Sequence, residues 1–168
     1  MARLCRCIDM GRAPKKNRGP QAVGRGRKGL GTAMHMAIST DSVVTCQLFP
    51  AQRQDCRSFF DVCRDWPWQA IKKVVGDKGY ATGPVKDLIR EKGAEPVIPP
   101  KGIWVPEGST LTPEDCYDTV TYRQRHVIER LFARIKENKR IAMRFDKLDQ
   151  TFLSFIALAL AKAYQLFC

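Results

Sequence analysis

Residues 70–100 read AIKKVVGDKGY (70–80), ATGPVKDLIREKG (81–93) and AEPVIPP (94–100), which sets out a strand, a helix and a second strand. Ile71 and Val74-Val75 make a short apolar run that stops at Gly76-Asp77-Lys78-Gly79-Tyr80, an abrupt turn. Val85, Leu88 and Ile89 recur at helical spacing, and Gly93 supplies a natural stop. Glu95 to Ile98 is a further short strand, closed by Pro99-Pro100. Two strands joined through a helix lie parallel in one sheet, so the chain belongs to the α/β class. Asp77 then stands at the carboxyl end of the first strand, where open α/β sheets bind their ligands. An aspartate in that place also serves as an ordinary turn or cap residue.

Upstream, Met34 to Ile38 and Val43 to Leu48 are β-type runs separated by Ser39-Thr40-Asp41-Ser42, a hairpin pattern. Residues 53–64, with Phe59, Phe60 and Cys63 at helical spacing, predict a helix. The first 32 residues are rich in Arg, Lys, Gly and Pro with almost no apolar periodicity, which predicts a basic, flexible arm ahead of a folded domain over 33–168. Downstream, Pro106, Gly108 and Pro113 mark 101–118 as a mobile loop, and two helices follow over about 120–138 and 149–166. Phe152 to Phe167 is apolar but covers only 16 residues and contains Lys162, against about 20 needed to span a bilayer. It reads as a buried core helix, and no membrane role is expected.

The 168 residues suffice for one domain with a real core. Twenty-nine Lys and Arg against 17 Asp and Glu give a formal charge of +12, which favours a polyanionic partner. The charge is clustered: residues 1–32 carry nine cations against Asp9 alone, and 121–147 carry nine against Glu129, Glu137 and Asp146. Such a balance selects nucleic acid without selecting an activity. Seven scattered cysteines with no Cys-x2-Cys pair argue against both a disulfide framework and a zinc ribbon. No apolar segment follows the basic N-terminus, so no secretory signal is read there.

The most informative spacing lies in the second basic cluster, where Tyr122, Arg125, Glu129 and Lys136 form a Tyr-x2-Arg-x3-Glu-x6-Lys string. On one continuous helix, at about 100° per residue, the four fall within an arc of roughly 60°. Val127, Ile128, Leu131, Phe132 and Ile135 project onto a neighbouring sector, and Arg123, His126, Arg130 and Arg134 onto the other side. A carboxylate at the seam between core and cations suits a site that holds a metal ion and receives a phosphate backbone. The same pattern also fits an amphipathic helix with Glu-Arg pairing. Asp77 and Glu129 together begin the acidic shell that two-metal phosphodiester chemistry requires, and a third carboxylate is normally wanted.

These residues resemble the DDE transposases of bacterial insertion sequences, in particular the IS4 and IS5 groups. The Tyr-Arg-Glu-Lys string is similar to the signature around that family's catalytic glutamate, and Asp77 within Gly-Asp-Lys-Gly-Tyr resembles its second catalytic aspartate. Val97-Ile98-Pro99-Pro100, Arg123-Gln124-Arg125-His126, Arg144-Phe145-Asp146, Thr151-Phe152-Leu153 and the 19–31 segment extend the likeness over roughly 13–166. The resemblance implies an α/β, RNase H-like mixed sheet with flanking helices, incomplete at the N-terminus. It implies Asp77 and Glu129 as catalytic ligands of Mg²⁺ or Mn²⁺, with Lys136 and Arg125 on DNA phosphates and Tyr122 positioning the backbone. The implied partners are double-stranded DNA, as element ends and target, and a second copy of the chain in a homodimer; the implied place is the bacterial cytoplasm, at the nucleoid.

The family's first aspartate has no secure counterpart. Asp9 and Asp41 are the candidates, and the resemblance implies a chain shortened at its N-terminus. Two functions therefore remain open: metal-dependent strand cleavage and transfer, or DNA binding by a basic remnant without catalysis.

Overall fold

The computed structural model describes residues 1–10, 19–26, 29–39, 42–101 and 117–164, with the backbone alone for 3–10. Its strands are β1 (Ala2–Met10), β2 (Gly24–Gly26), β3 (Gly29–Ile38), β4 (Val43–Pro50), β5 (Lys73–Val75) and β6 (Glu95–Val97). Its helices are α1 (Asp55–Val62), α2 (Gly83–Glu91), α3 (Thr119–Arg123), α4 (His126–Lys136), α5 (Lys139–Ala142) and α6 (Asp149–Ala163). Mixed strand directions and several helices make this an α/β fold. Asp41 and most of the 101–118 loop lie outside the described residues.

The chain divides into two compact units, one of residues 1–5, 36–46 and 54–128, the other of 6–35, 47–53 and 129–168. In the first, the strand order is β3-β1-β5-β6. β1 pairs parallel with β5, Ala2 opposite Val74 and Arg3 opposite Val75, and β5 pairs parallel with β6, Val75 opposite Val97. The β5-α2-β6 crossover thus has the parallel geometry that its sequence predicts. Val74 and Val75 are both fully buried, because a parallel strand covered on both faces needs no polar alternation. α2 starts with Pro84 in its first turn, buries Val85 and Ile89 one turn apart, and ends before Gly93, whose φ of 79° closes it. Phe59 of α1 fills the same core, meeting Trp66 edge-on at 5.9 Å and Tyr80 at 6.1 Å between ring centres.

In the second unit β2 pairs antiparallel with β3, and β4 also pairs with β3. A buried polar knot closes this unit. Arg144, only 3% exposed, donates to Asp149 at 2.6 Å, to Thr32 Oγ1, and to the carbonyls of Asp146 and Lys147. Asp149 in turn accepts the Ala22 amide at 2.8 and 2.9 Å, and Thr32 donates to the Ala22 carbonyl. Every member satisfies another, which is what makes burial of a charged pair tolerable.

Three sequence expectations need correction. The stretch read as an arm contains β1, β2 and the start of β3. Its residues pair through backbone groups, which need no apolar periodicity, and that is why composition concealed them. The helix expected over 120–138 is broken: Gln124, Arg125, Val127 and Ile128 donate to carbonyls three residues back, so the chain tightens between α3 and α4. The four residues of the string therefore do not share one helical stripe. Finally, α6 is not a fully buried core helix, for Phe152 and Ile156 are its buried residues while Leu158 is 58% exposed. Its apolar residues surround the axis, and one packed row can bury only one side.

Candidate functional site

Asp77 follows β5 directly, in extended backbone geometry, and its Oδ1 accepts the Lys78 amide at 2.7 Å. It therefore does cap the short turn Lys78–Tyr80. That bond uses one carboxylate oxygen; Oδ2 has no hydrogen bond among the described residues. The loop is pinned on both sides. A Cβ on Gly76 would come within 3.2 Å of Ile98, and one on Gly79 would collide with the carboxylate of Asp55 from the first turn of α1. A side chain at Gly76 would need Ile98 to give way and one at Gly79 would need Asp55 to move, while Asp77 between them stays half exposed.

Arg125 reaches this carboxylate from the turn between α3 and α4, its Nη1 3.4 Å from Asp77 Oδ1. Its side chain is more enclosed than its partner, 21% against 48% exposed. The Tyr122 ring lies beneath the guanidinium at 5.5 Å, and Tyr117 meets Tyr122 edge-on at 5.3 Å. A cation held against an aromatic face keeps its planar fork oriented.

The start of α3 is fixed by a second charged cluster. Asp118 accepts the amides of Val120 and Thr121, both at 3.0 Å, the Thr121 hydroxyl, and Lys73 Nζ at 3.1 Å. Lys73, on β5, also pairs with Glu95 opposite it on β6 at 3.1 Å. Lys73 thus ties both strands to the helix that delivers Tyr122. The Thr121 hydroxyl and amide, then Lys73, hold the Asp118 carboxyl well below the usual carboxylate range. Hydrogen bonds to Asp118 and Glu95 raise Lys73 above its ordinary value. A depressed carboxyl contributes stability above its unfolded value, near 3.8, and loses it as pH falls through the folded value. Acid titration of the parent should accordingly show unfolding that steepens below about pH 4, with a shallower slope in Asp118→Asn. Equal slopes would show that the cluster contributes nothing.

Asp77, Tyr122 and Arg125 therefore come together in the first unit. Glu129 and Lys136 belong to the second, on α4, with Glu129 exposed in its first turn and Lys136 half-buried in its last. Ile128, Leu131, Phe132 and Ile135 form the buried stripe of this helix, as their spacing predicts. No group of three or more His, Cys, Asp or Glu suited to a metal occurs among the described residues. Sequence reasoning missed the Lys73-Asp118-Glu95 cluster and Asp55. For the first there was a signal in Asp118-x-x-Thr121, a helix-start pattern, but none for the lysine that joins it. The contact of Asp55 with Gly79 spans 24 residues and has no local signature.

In the first unit a parallel β-strand thus ends in a half-exposed aspartate with an arginine and two tyrosines gathered beside it. The family profile described as "Transposase DDE domain" matches residues 8–162, and the chain belongs to that family. No curated protein and no solved structure matches it. DNA is the partner that this membership implies, and DDE domains in general use divalent metal ions. Among the described residues no helix is long and apolar enough to cross a membrane.

Proposed function

We propose that this chain acts on double-stranded DNA as an IS4/IS5-type DDE transposase domain with an RNase H-like core. The observation that carries the reading is the Arg125–Asp77 approach at 3.4 Å, which links the Tyr-Arg-Glu-Lys string to the strand-end carboxylate. Supporting the fold assignment, β1 sits between β3 and a parallel β5-β6 pair, with Asp77 at the carboxyl end of β5. Asp77 and Glu129 each offer hard carboxylate oxygens of the kind that Mg²⁺ or Mn²⁺ takes, and each would hold such an ion. Such an ion supplies Lewis-acid polarisation of the phosphodiester. Arg125 and Lys136 hold DNA phosphates, which sets the register of the duplex without reading its sequence. Tyr122 keeps Arg125 aimed and positions the backbone at the scissile bond.

One observation favours a second reading, DNA binding without cleavage. Among the described residues no group of three or more His, Cys, Asp or Glu suited to a metal occurs, so Asp77 has no described acidic cluster around it. Loss of one ligand abolishes cleavage while leaving salt-sensitive phosphate binding intact. The test is incubation with supercoiled DNA and Mn²⁺ beside Glu129→Gln, with DNA affinity measured over a salt series. The DDE reading expects nicking by the parent, none by the variant, and similar salt slopes. Binding with equal, negligible nicking in both leaves the second reading alone.

A further inference from the structure

Asp77 faces a competition that the proposed function leaves unresolved: its carboxylate is the proposed metal ligand, and Arg125 stands beside it at 3.4 Å. Oδ1 is shared between the Lys78 amide and Arg125, while Oδ2 is left for a ligand. Arg125 is the group proposed to hold a DNA phosphate, so it cannot serve Asp77 and DNA equally. Its guanidinium lies against Tyr122, and α3, which carries that ring, is anchored at Asp118 to Lys73 and not through Asp77. Arg125 can therefore leave the carboxylate without losing its aromatic support.

We infer that Arg125 is the resident counter-ion of Asp77 and is released to a DNA phosphate when a divalent cation takes the carboxylate. This rests on the proposed roles of Asp77 and Arg125 and adds a coupling between them. A metal ion neutralises Asp77 and frees a phosphate-binding cation; a phosphate that draws Arg125 away leaves Asp77 more attractive to metal. By linkage each ligand then strengthens the other by the same factor. An exposed ion pair of this kind supports a coupling of roughly two- to fivefold.

The experiment measures binding of a fluorescein-labelled duplex to the full chain by anisotropy at constant ionic strength, with and without Mn²⁺. The set is the parent, Asp77→Asn, Arg125→Gln, the double variant, and Asp87→Asn as a charge control whose carboxylate pairs with Arg90. Expected is a parent whose affinity rises about threefold with Mn²⁺, and an Asp77→Asn chain that binds that tightly without metal and no longer responds to it. Asp77→Asn should tighten binding more than Asp87→Asn, and Arg125→Gln should remove both the metal response and that gain. If the metal response persists in Asp77→Asn, the metal role of Asp77 fails, and the coupling with it. If the response requires Asp77 but survives in Arg125→Gln, Asp77 keeps its metal role and the release of Arg125 is overturned. A gain in Asp77→Asn that is unchanged by Arg125→Gln is simple loss of negative charge and also overturns it.

Discussion

Arg144→Met is expected to cost about 3–5 kcal/mol of unfolding free energy, because it removes one partner of an enclosed pair and leaves the other charged. Methionine keeps most of the side-chain volume, so the loss isolates the polar network and not a cavity. Arg144 is the hub: it binds Asp149, Thr32 and two carbonyls, and its guanidinium lies 4.9 Å from the centre of the Phe152 ring. With it gone, the Asp149 carboxylate keeps, among the described residues, the Ala22 amide alone as a hydrogen-bonding partner. Arg144→Lys should recover part of the loss but not all, since an ammonium cannot serve both the carboxylate and the carbonyls with a planar fork. Urea unfolding followed by circular dichroism measures the effect. A change below about 1 kcal/mol would mean that water reaches the pair and screens it.

Phe59→Ala is expected to cost a further, independent amount of about 3–5 kcal/mol, the usual range for deleting a buried aromatic ring. Phe59 is fully buried and touches Phe60, Trp66 and Tyr80. Its removal leaves Trp66 and Tyr80 facing an empty volume, and Tyr80 closes the turn that begins at Asp77. The substitution should therefore shift the tryptophan fluorescence of the native state as well as its thermal midpoint, and Phe59→Leu should restore most of both. A normal midpoint with Phe59→Ala would show that α1 collapses onto the gap at little cost.

The parallel crossover was legible in the sequence because each of its signals is local: a valine pair, a helical repeat in Val85 and Ile89, and Gly93 as the stop. So was the buried stripe of α4. The strand β1 was not, since RLCRCIDM has neither alternation nor a β-rich composition, and only pairing with β3 and β5 makes it a strand. The break at Gln124–Arg125 was invisible for a related reason: no Gly or Pro marks it, and the amides there simply bond to carbonyls three residues back. Of the candidate site, residue types and spacings singled out Asp77, Arg125 and Tyr122, which the structure brings together. The ion pair joining the first two links residues 48 positions apart in the chain, and Lys73 owes its place to strand register.

Gly76 and Gly79 are held in place by what lies against them, Ile98 on one side and Asp55 on the other, whatever Asp77 does chemically. Mutational drift in a chain released from catalytic selection would consequently erode Asp77 sooner than the glycines that flank it. Survival of the surrounding pattern reports on packing; only the aspartate and its arginine report on use.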